Sequence, residues 1–243
     1  MKSPSESGVP GLNSDRVLVI MAKAPRPGAV KTRLIPGLSL QAAAGFYGCL
    51  LGDTLALAGS LVGVEIAIMC PDSDVDELAG VAGHGVRVVA QRGKGLAAGL
   101  TSVFAQFGEG SGRRIIAFNS DSPHLPRSVI EAAFETLVAH DVVIGPTSDG
   151  GYYLVGAKAS HPTLFMGDGM GTGSALERLL SRTRVLELSV GFADPFYDID
   201  VTDDLIRLAL DLGRAPALAP RTATWLKERE DVLARLGAGT GNR

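Results

Sequence analysis

Short runs of β-branched and apolar residues punctuate the chain: RVLVIMA at 16–22, VEIAIMC at 64–70, VRVVA at 86–90, RRIIAFN at 113–119 and DVVIGP at 141–146. Runs of this length and composition predict strands, and the Ala- and Leu-rich stretches between them predict helices near 39–60, 74–80, 95–108 and 126–140. Ser39 and Pro126 supply helix start signals. Strand and helix alternating in this way give a mostly parallel sheet covered on both faces, an α/β three-layer sandwich. In such sheets ligands bind beyond the carboxyl ends of the strands. The loops that leave the strands are therefore where chemistry is expected.

After residue 146 the pattern loosens. GGYYLVGAK (150–158) predicts a strand, GTGSALERLLSR (171–182) a helix, RVLELS (184–189) a strand and DDLIRLALDLG (203–213) a helix capped by Thr202. A last amphipathic helix is expected through 222–236. The whole reads as one domain over 16–236, with polar tails at 1–15 and 237–243.

Composition changes this picture little. Of 243 residues, 46% are hydrophobic and 20% charged, which is ordinary for a globular chain with a sizeable core. The net charge of −3 gives no general attraction to nucleic acid or to an anionic membrane, so anion binding would need a local cluster. The apolar run after the N-terminal tail is far shorter than a signal-peptide core or a membrane span, which leads to the expectation of a cytoplasmic protein. Cys49 and Cys70 form neither a disulfide framework nor a metal-ligand spacing. Gly45, Gly48 and Gly52, at helical spacing, imply close packing against the sheet or against a second copy in a homodimer.

Five loops carry candidate chemistry. The first, MAKAPRPGAVKTRL (21–34), leaves the first strand with Lys23, Arg26, Lys31 and Arg33 beside Thr32, a set suited to a phosphate or diphosphate. Its glycine pattern is neither that of a P-loop nor that of a dinucleotide fingerprint. The second, FNSDSPHLP (118–126), puts Asp121 at the same sheet edge, where a hard divalent ion could bridge phosphate oxygens; a turn or cap aspartate is the plainer reading. In the third, FYDIDVTDDL (196–205), Asp198 and Asp200 share a face if the segment is extended, and paired like charges call for a cation. Asp203 and Asp204 suit the first turn of the following helix. The fourth, GPTSDGGYYLVG (145–156), gathers Asp149, Gly150, Gly151, Tyr152 and Tyr153 into a pocket wall for a polyhydroxylated ligand, or else forms a simple Asp-Gly turn. In the fifth, QRGKGLAAGL (91–100), the glycines, Gly95 among them, allow close approach to a base or ribose, and Gln91 could bond a base edge. His124 is the one histidine placed near these loops, and no catalytic triad is visible.

Taken together, KAPRPGAVKTRL, NSDSPHLP, GPTSDGGYYLVG and YDIDVTDDL resemble, in order and spacing, the bacterial glycosyltransferase-A-fold proteins described as arsenosugar-biosynthesis or radical-SAM/selenodomain-associated glycosyltransferases. The resemblance covers about residues 16–210. More distantly, the layout is similar to the guanylyltransferases for molybdenum cofactor and 2-phospho-lactate. The resemblance implies a nucleotide-diphospho-sugar transferase-like fold with a nucleoside-diphosphate pocket at the sheet's carboxyl edge. It implies Asp121, Asp198 and Asp200 around Mg²⁺ or Mn²⁺, Lys31 and Arg33 as phosphate-binding cations, and Asp149 with its glycines on the acceptor or sugar side.

The expected activity is metal-dependent glycosyl transfer from a nucleoside-diphosphate sugar to a small-molecule acceptor, with Asp149, Lys31 and Arg33 in catalytic roles. Lys23, Lys31, Thr32, Arg33, Gln91 and Gly95 are expected to hold the nucleotide. The rival activity is nucleotidyl transfer from a nucleoside triphosphate to a phosphorylated acceptor with loss of pyrophosphate. A third reading is a catalytically silent nucleotide-binding module.

Overall fold

The computed structural model describes residues 14–34, 37–108, 112–166 and 173–233. Seven strands form one sheet: β1 (Arg16–Met21), β2 (Glu65–Cys70), β3 (Arg87–Ala90), β4 (Arg114–Asn119), β5 (Val142–Pro146), β6 (Tyr152–Ala157) and β7 (Val190–Phe192). Their order is β3-β2-β1-β4-β6-β5-β7, and all neighbours are parallel except β6, which runs antiparallel to both β4 and β5. The helices are α1 (Leu40–Gly59), α2 (Val75–Ala82), α3 (Gly95–Gly108), α4 (Arg127–Ala139), α5 (Ala175–Val185), α6 (Thr202–Arg214) and α7 (Pro220–Lys227).

β1 shows why the sheet is the middle layer. Leu18 and Ile20 point into a core shared with α1, α2, α4, α6 and α7, while Val17 and Val19 point into a second core beneath α3 and α5. Strand geometry sends alternate side chains to opposite faces, so an unbroken apolar run is what a doubly covered strand requires.

Helix α1 starts where the sequence predicts, with Ser39 Oγ accepting the Ala42 N–H at 3.1 Å. It is the one helix among the described residues long and apolar enough to cross a membrane, and about half of that stretch is buried inside the protein. Of its three spaced glycines, Gly48 faces Pro25 and the other two face α7. A Cβ on Gly45 would lie 3.7 Å from Trp225 Nε1, and one on Gly52 would lie 2.4 Å from Arg221 Nη1, so α7 occupies that stripe. Buried Asp53 fixes the arrangement by accepting the N–H groups of Arg221 and Thr222 at 3.2 and 2.8 Å.

Three local expectations are corrected. The strand expected at 184–189 is instead the end of α5, which runs through Val185; Leu186 N–H bonds back to Arg182 O at 3.0 Å, and β7 follows at Val190–Phe192. Leu176, Leu179, Thr183 and Leu186 hold helical spacing against the second core, and that period outweighs the short V-L-E-L alternation. Thr202 is the first residue of α6 rather than its cap. The cap is supplied by Asp204, whose Oδ2 accepts the N–H groups of Asp200 and Val201 at 3.0 and 2.8 Å. The last helix, α7, starts two residues early and ends at Lys227, and residues 234–236 of the expected span lie outside the described residues. The same holds for the tail at 237–243 and for most of that at 1–15, of which Ser14 and Asp15 are described.

Candidate functional site

The carboxyl ends of β1, β2, β3 and β4 border a cleft of about 1080 Å³, and a chamber of about 310 Å³ adjoins it toward β6. Met21, Arg33, Leu96, Asp121 and Asp200 line both. Of the residues expected to hold a nucleotide, Lys23, Lys31, Thr32, Arg33, Gln91 and Gly95 all line the cleft. Asp149, Gly151, Tyr152 and Asp198 line the chamber, and Gly150 shapes its wall.

The loop after β1 is tied down from below. Asp74, at the start of α2, is buried; its carboxylate accepts the Ala24 N–H at 2.9 Å and pairs with Arg26 at 2.7 Å. Burial alone would raise the Asp74 pKa, but the Ala24 N–H, Ser73 hydroxyl and Arg26 outweigh it and hold the carboxyl below its usual range. Arg26 also pairs with Glu77 at 2.8 Å and donates to Ser73 O. This corrects one expectation: Arg26 is an anchor of the loop and is absent from the cleft wall.

Lys31 departs further from the expected pattern. Its side chain is 5% exposed, with Nζ 3.1 Å from Asp121 Oδ1 and 3.3 Å from Asp200 Oδ1, and it donates to Ile199 O. Burial would depress its pKa, but Asp121 and Asp200 overcompensate and raise it. Its backbone φ of 49° is unusual for a residue other than glycine, a strained conformation of the kind that collects at functional sites. Lys31 therefore spends its charge on two expected metal ligands. Arg33, 68% exposed and 3.2 Å from Asp200 Oδ2, and the exposed Lys23 and Lys94 are the cations presented to the open cleft.

Among the described residues, no three His, Cys, Asp or Glu side chains converge as a ligand set for one metal ion, and the Lys31 ammonium pairs with both Asp121 and Asp200. The electrostatic demand for a cation nevertheless remains. Burial, followed by the charges of Asp200, Asp121 and Asp149, pushes the Asp198 carboxyl up to about 6. Asp121 Oδ1 is buried and, among the described residues, has its Lys31 ion pair as partner. Carboxylates crowded in this way fit a hard divalent ion.

A buried hydroxyl network joins the two sides of the site. Tyr47, on α1, accepts the Lys23 N–H at 3.1 Å and lies 2.8 Å from Ser120 Oγ, which itself donates to Met21 O at 3.1 Å. Ser122 Oγ donates to Tyr197 O at 3.0 Å and so ties the Asp121 loop to the segment carrying Asp198. Sequence reasoning missed both residues, because an apolar-looking helix position and a serine before proline give no hint of long-range contacts. Gln91 reaches the cleft, but its Nε2 donates to Gly93 O and Gly95 O at 2.9 and 3.3 Å, which spends on the loop the donors expected for a base edge. Gly95 (φ 82°) opens α3 with free space where a Cβ would stand.

In the chamber wall, Asp149 Oδ1 accepts the Gly151 N–H at 3.0 Å and the Thr147 hydroxyl, which leaves Oδ2 for a ligand. Gly150 has φ 85°, and a Cβ there would lie 2.0 Å from Gly173 O, so only glycine closes this turn. The two tyrosines divide: Tyr153 is buried with its hydroxyl donating to Asp194 O at 2.8 Å, while the Tyr152 hydroxyl is buried with no partner among the described residues. His124 is packed behind the site, its ring centroid 4.7 Å from those of both Phe196 and Tyr197. Both its ring nitrogens lack partners among the described residues, and burial drives its pKa down to about 4.

Residues 54–172 match the model of a family described as an uncharacterized protein conserved in bacteria (DUF2064). No curated protein matches the sequence. Among solved structures, a Desulfovibrio desulfuricans G20 protein provisionally assigned as a nucleotide-diphospho-sugar transferase is similar with a TM-score of 0.84 and 26% identity, over 92% of this chain and 98% of that one. A Mycobacterium sp. strain JC1 homologue of Mycobacterium tuberculosis Rv0371c is similar at a TM-score of 0.54 and 20% identity, over 84% of this chain and 100% of that one. The 4-diphosphocytidyl-2C-methyl-D-erythritol synthase of Anaerococcus prevotii DSM 20548 follows at 0.55 and 12%, over 82% and 97%. The fold is thus shared with nucleotide-diphospho-sugar transferases and nucleotidyltransferases.

Proposed function

We propose that this chain is a transferase acting on a nucleotide-activated substrate, and specifically a glycosyltransferase that uses a nucleoside-diphosphate sugar. The observation that carries this reading is the pairing of a nucleotide-sized cleft with a smaller polar chamber across a shared border of Arg33, Asp121 and Asp200. The fold similarity to a nucleotide-diphospho-sugar transferase supports it.

In this reading the nucleotide lies over the ends of β1–β3, with Lys23, Lys94 and Arg33 offered to its phosphates and Gly95 at its base or ribose. Arg33 stands where the leaving diphosphate gains charge, and a guanidinium there favours the transition state over the ground state. Asp149 Oδ2 accepts a proton from, or orients, the attacking hydroxyl, while Thr147 and Gly151 hold the other carboxylate oxygen still. Lys31 acts from beneath, fixing the spacing of Asp121 and Asp200. Asp121, Asp198 and Asp200 are the residues that would hold Mg²⁺ or Mn²⁺, an ion that would supply charge neutralisation at the diphosphate.

Nucleotidyl transfer is the second reading, favoured by Lys23 and Lys94, exposed on the cleft and without an ion pair among the described residues. Product analysis separates the two. Incubation with a panel of nucleoside-diphosphate sugars and nucleoside triphosphates should release a nucleoside diphosphate from a sugar donor. Pyrophosphate released from a triphosphate would establish the second reading instead, and neither product would leave a silent binding module.

A further inference from the structure

The chamber beyond the nucleotide cleft has a charge balance that bears on what can enter it. Asp121, Asp149, Asp198 and Asp200 line it, and among the described residues the cation in its wall is Arg33. Lys31 pairs with Asp121 and Asp200 from the cleft side, and an ion on Asp121, Asp198 and Asp200 would offset the rest, which leaves Asp149 as the lining carboxylate without a countercharge among the described residues. Its volume of about 310 Å³ is at the lower end of small-molecule sites. Its remaining wall combines apolar surface, from Phe118, Leu100 and Val155, with hydrogen-bonding groups that have capacity to spare. These are Asp149 Oδ2, whose partner oxygen alone is engaged, and the buried, unpartnered hydroxyl of Tyr152.

From this geometry we infer that the chamber is an acceptor subsite for a neutral, hydroxyl-bearing molecule of about monosaccharide size, and that Asp149, the carboxylate left facing it, excludes phosphorylated acceptors. The inference rests on the glycosyltransferase reading and sharpens it, because the rival nucleotidyl transfer needs a phosphate monoester where the carboxylates stand. A phosphate placed beside Asp149 would meet like charge on a partly desolvated wall, an arrangement that discriminates between ligands of the same shape. A sugar hydroxyl would instead donate to Asp149 Oδ2 and satisfy Tyr152. In the transfer step, the acceptor oxygen forms its new bond to the anomeric carbon as that carbon's bond to the diphosphate oxygen breaks. The hydroxyl proton passes to Asp149, and the electron pair leaves with the nucleoside diphosphate.

The test is a ligand-detected NMR titration of the full chain with Mg²⁺ and each of ADP, CDP, GDP and UDP in turn. D-glucose, D-galactose and D-mannose are each compared with their 6-phosphates. At least one neutral sugar should bind saturably, and its 6-phosphate should bind at least about tenfold more weakly. Asp149→Ala should weaken the neutral sugar at least about fivefold, whereas Asp149→Asn, which keeps the shape and removes one charge, should narrow the gap between sugar and phosphate. Phosphates that bind as well as or better than their parents in an Asp149-dependent way would overturn the inference, as would the failure of every neutral sugar to bind. Failure to bind any nucleotide would instead overturn the reading of the cleft, which separates the two claims.

Discussion

Asp198 is held as a carboxylate at a cost, and its amide variant should therefore make the protein more stable. Its carboxyl is raised from the ordinary 3.8 to about 6, chiefly by burial and then by Asp200 and Asp121. Between these values the folded chain binds a proton that the unfolded chain has released, so this residue's contribution falls as pH rises from about 4 to 6 and stays low above that. A displacement of this size corresponds to roughly 3 kcal/mol. Because Asp198 lines an open chamber, solvent screening reduces the expected gain of Asp198→Asn at pH 7.5 to about 1–3 kcal/mol. For a chain of this length that is a rise of roughly 3–10 °C in melting temperature. Thermal denaturation in EDTA, repeated from pH 4 to 8, reads it directly. The variant should lead at pH 7.5, and the two curves should meet near pH 4. Adding Mn²⁺ at neutral pH should stabilise the wild type more than the variant. A variant no more stable than wild type at pH 7.5, or a gap that persists unchanged to pH 4, would refute the reasoning.

The remaining predictions concern the frame around the site. His124, buried with its pKa near 4, resists a proton that the unfolded chain accepts near 6.5, so stability should fall by up to about 3 kcal/mol as pH drops through that window. Urea unfolding of His124→Leu should lack this loss; an unchanged acid limb would place the effect elsewhere. Tyr47→Phe removes the hydroxyl that joins Lys23 N–H to Ser120 Oγ and should cost about 1–2 kcal/mol of stability. Nucleotide affinity should fall with it, and an unaltered titration would show that the network is not part of the site. Gly150→Ala drives a Cβ onto Gly173 O and should abolish transfer while leaving nucleotide binding in the neighbouring cleft, as measured by calorimetry; full transfer activity would contradict the packing.

The layered sheet was legible because its strands announce themselves twice, as apolar runs and as runs closed by polar loops. β1 through β6 fall where the sequence places them. RVLELS failed because its short V-L-E-L alternation competes poorly with the helical spacing of Leu176, Leu179 and Thr183. At the site, the loops were legible but the partners of their charges were not. Nothing local says that Arg26 faces Asp74 and Glu77, or that Lys31 inserts between Asp121 and Asp200, since each pair is separated by 48 residues or more along the chain. Tyr47 and Ser122 were invisible for the same reason: their roles exist only once distant loops meet.

The central claim is that the cleft binds a nucleoside-diphosphate sugar with Arg33 at its phosphates. Calorimetric titration of the wild type and Arg33→Ala against a panel of such donors and nucleoside triphosphates, with Mn²⁺ and with EDTA, tests it most directly. A sugar donor should bind in Mn²⁺, weaken in EDTA and lose at least about tenfold in affinity in the variant. Absence of binding under every condition, or binding indifferent to Arg33, would contradict it.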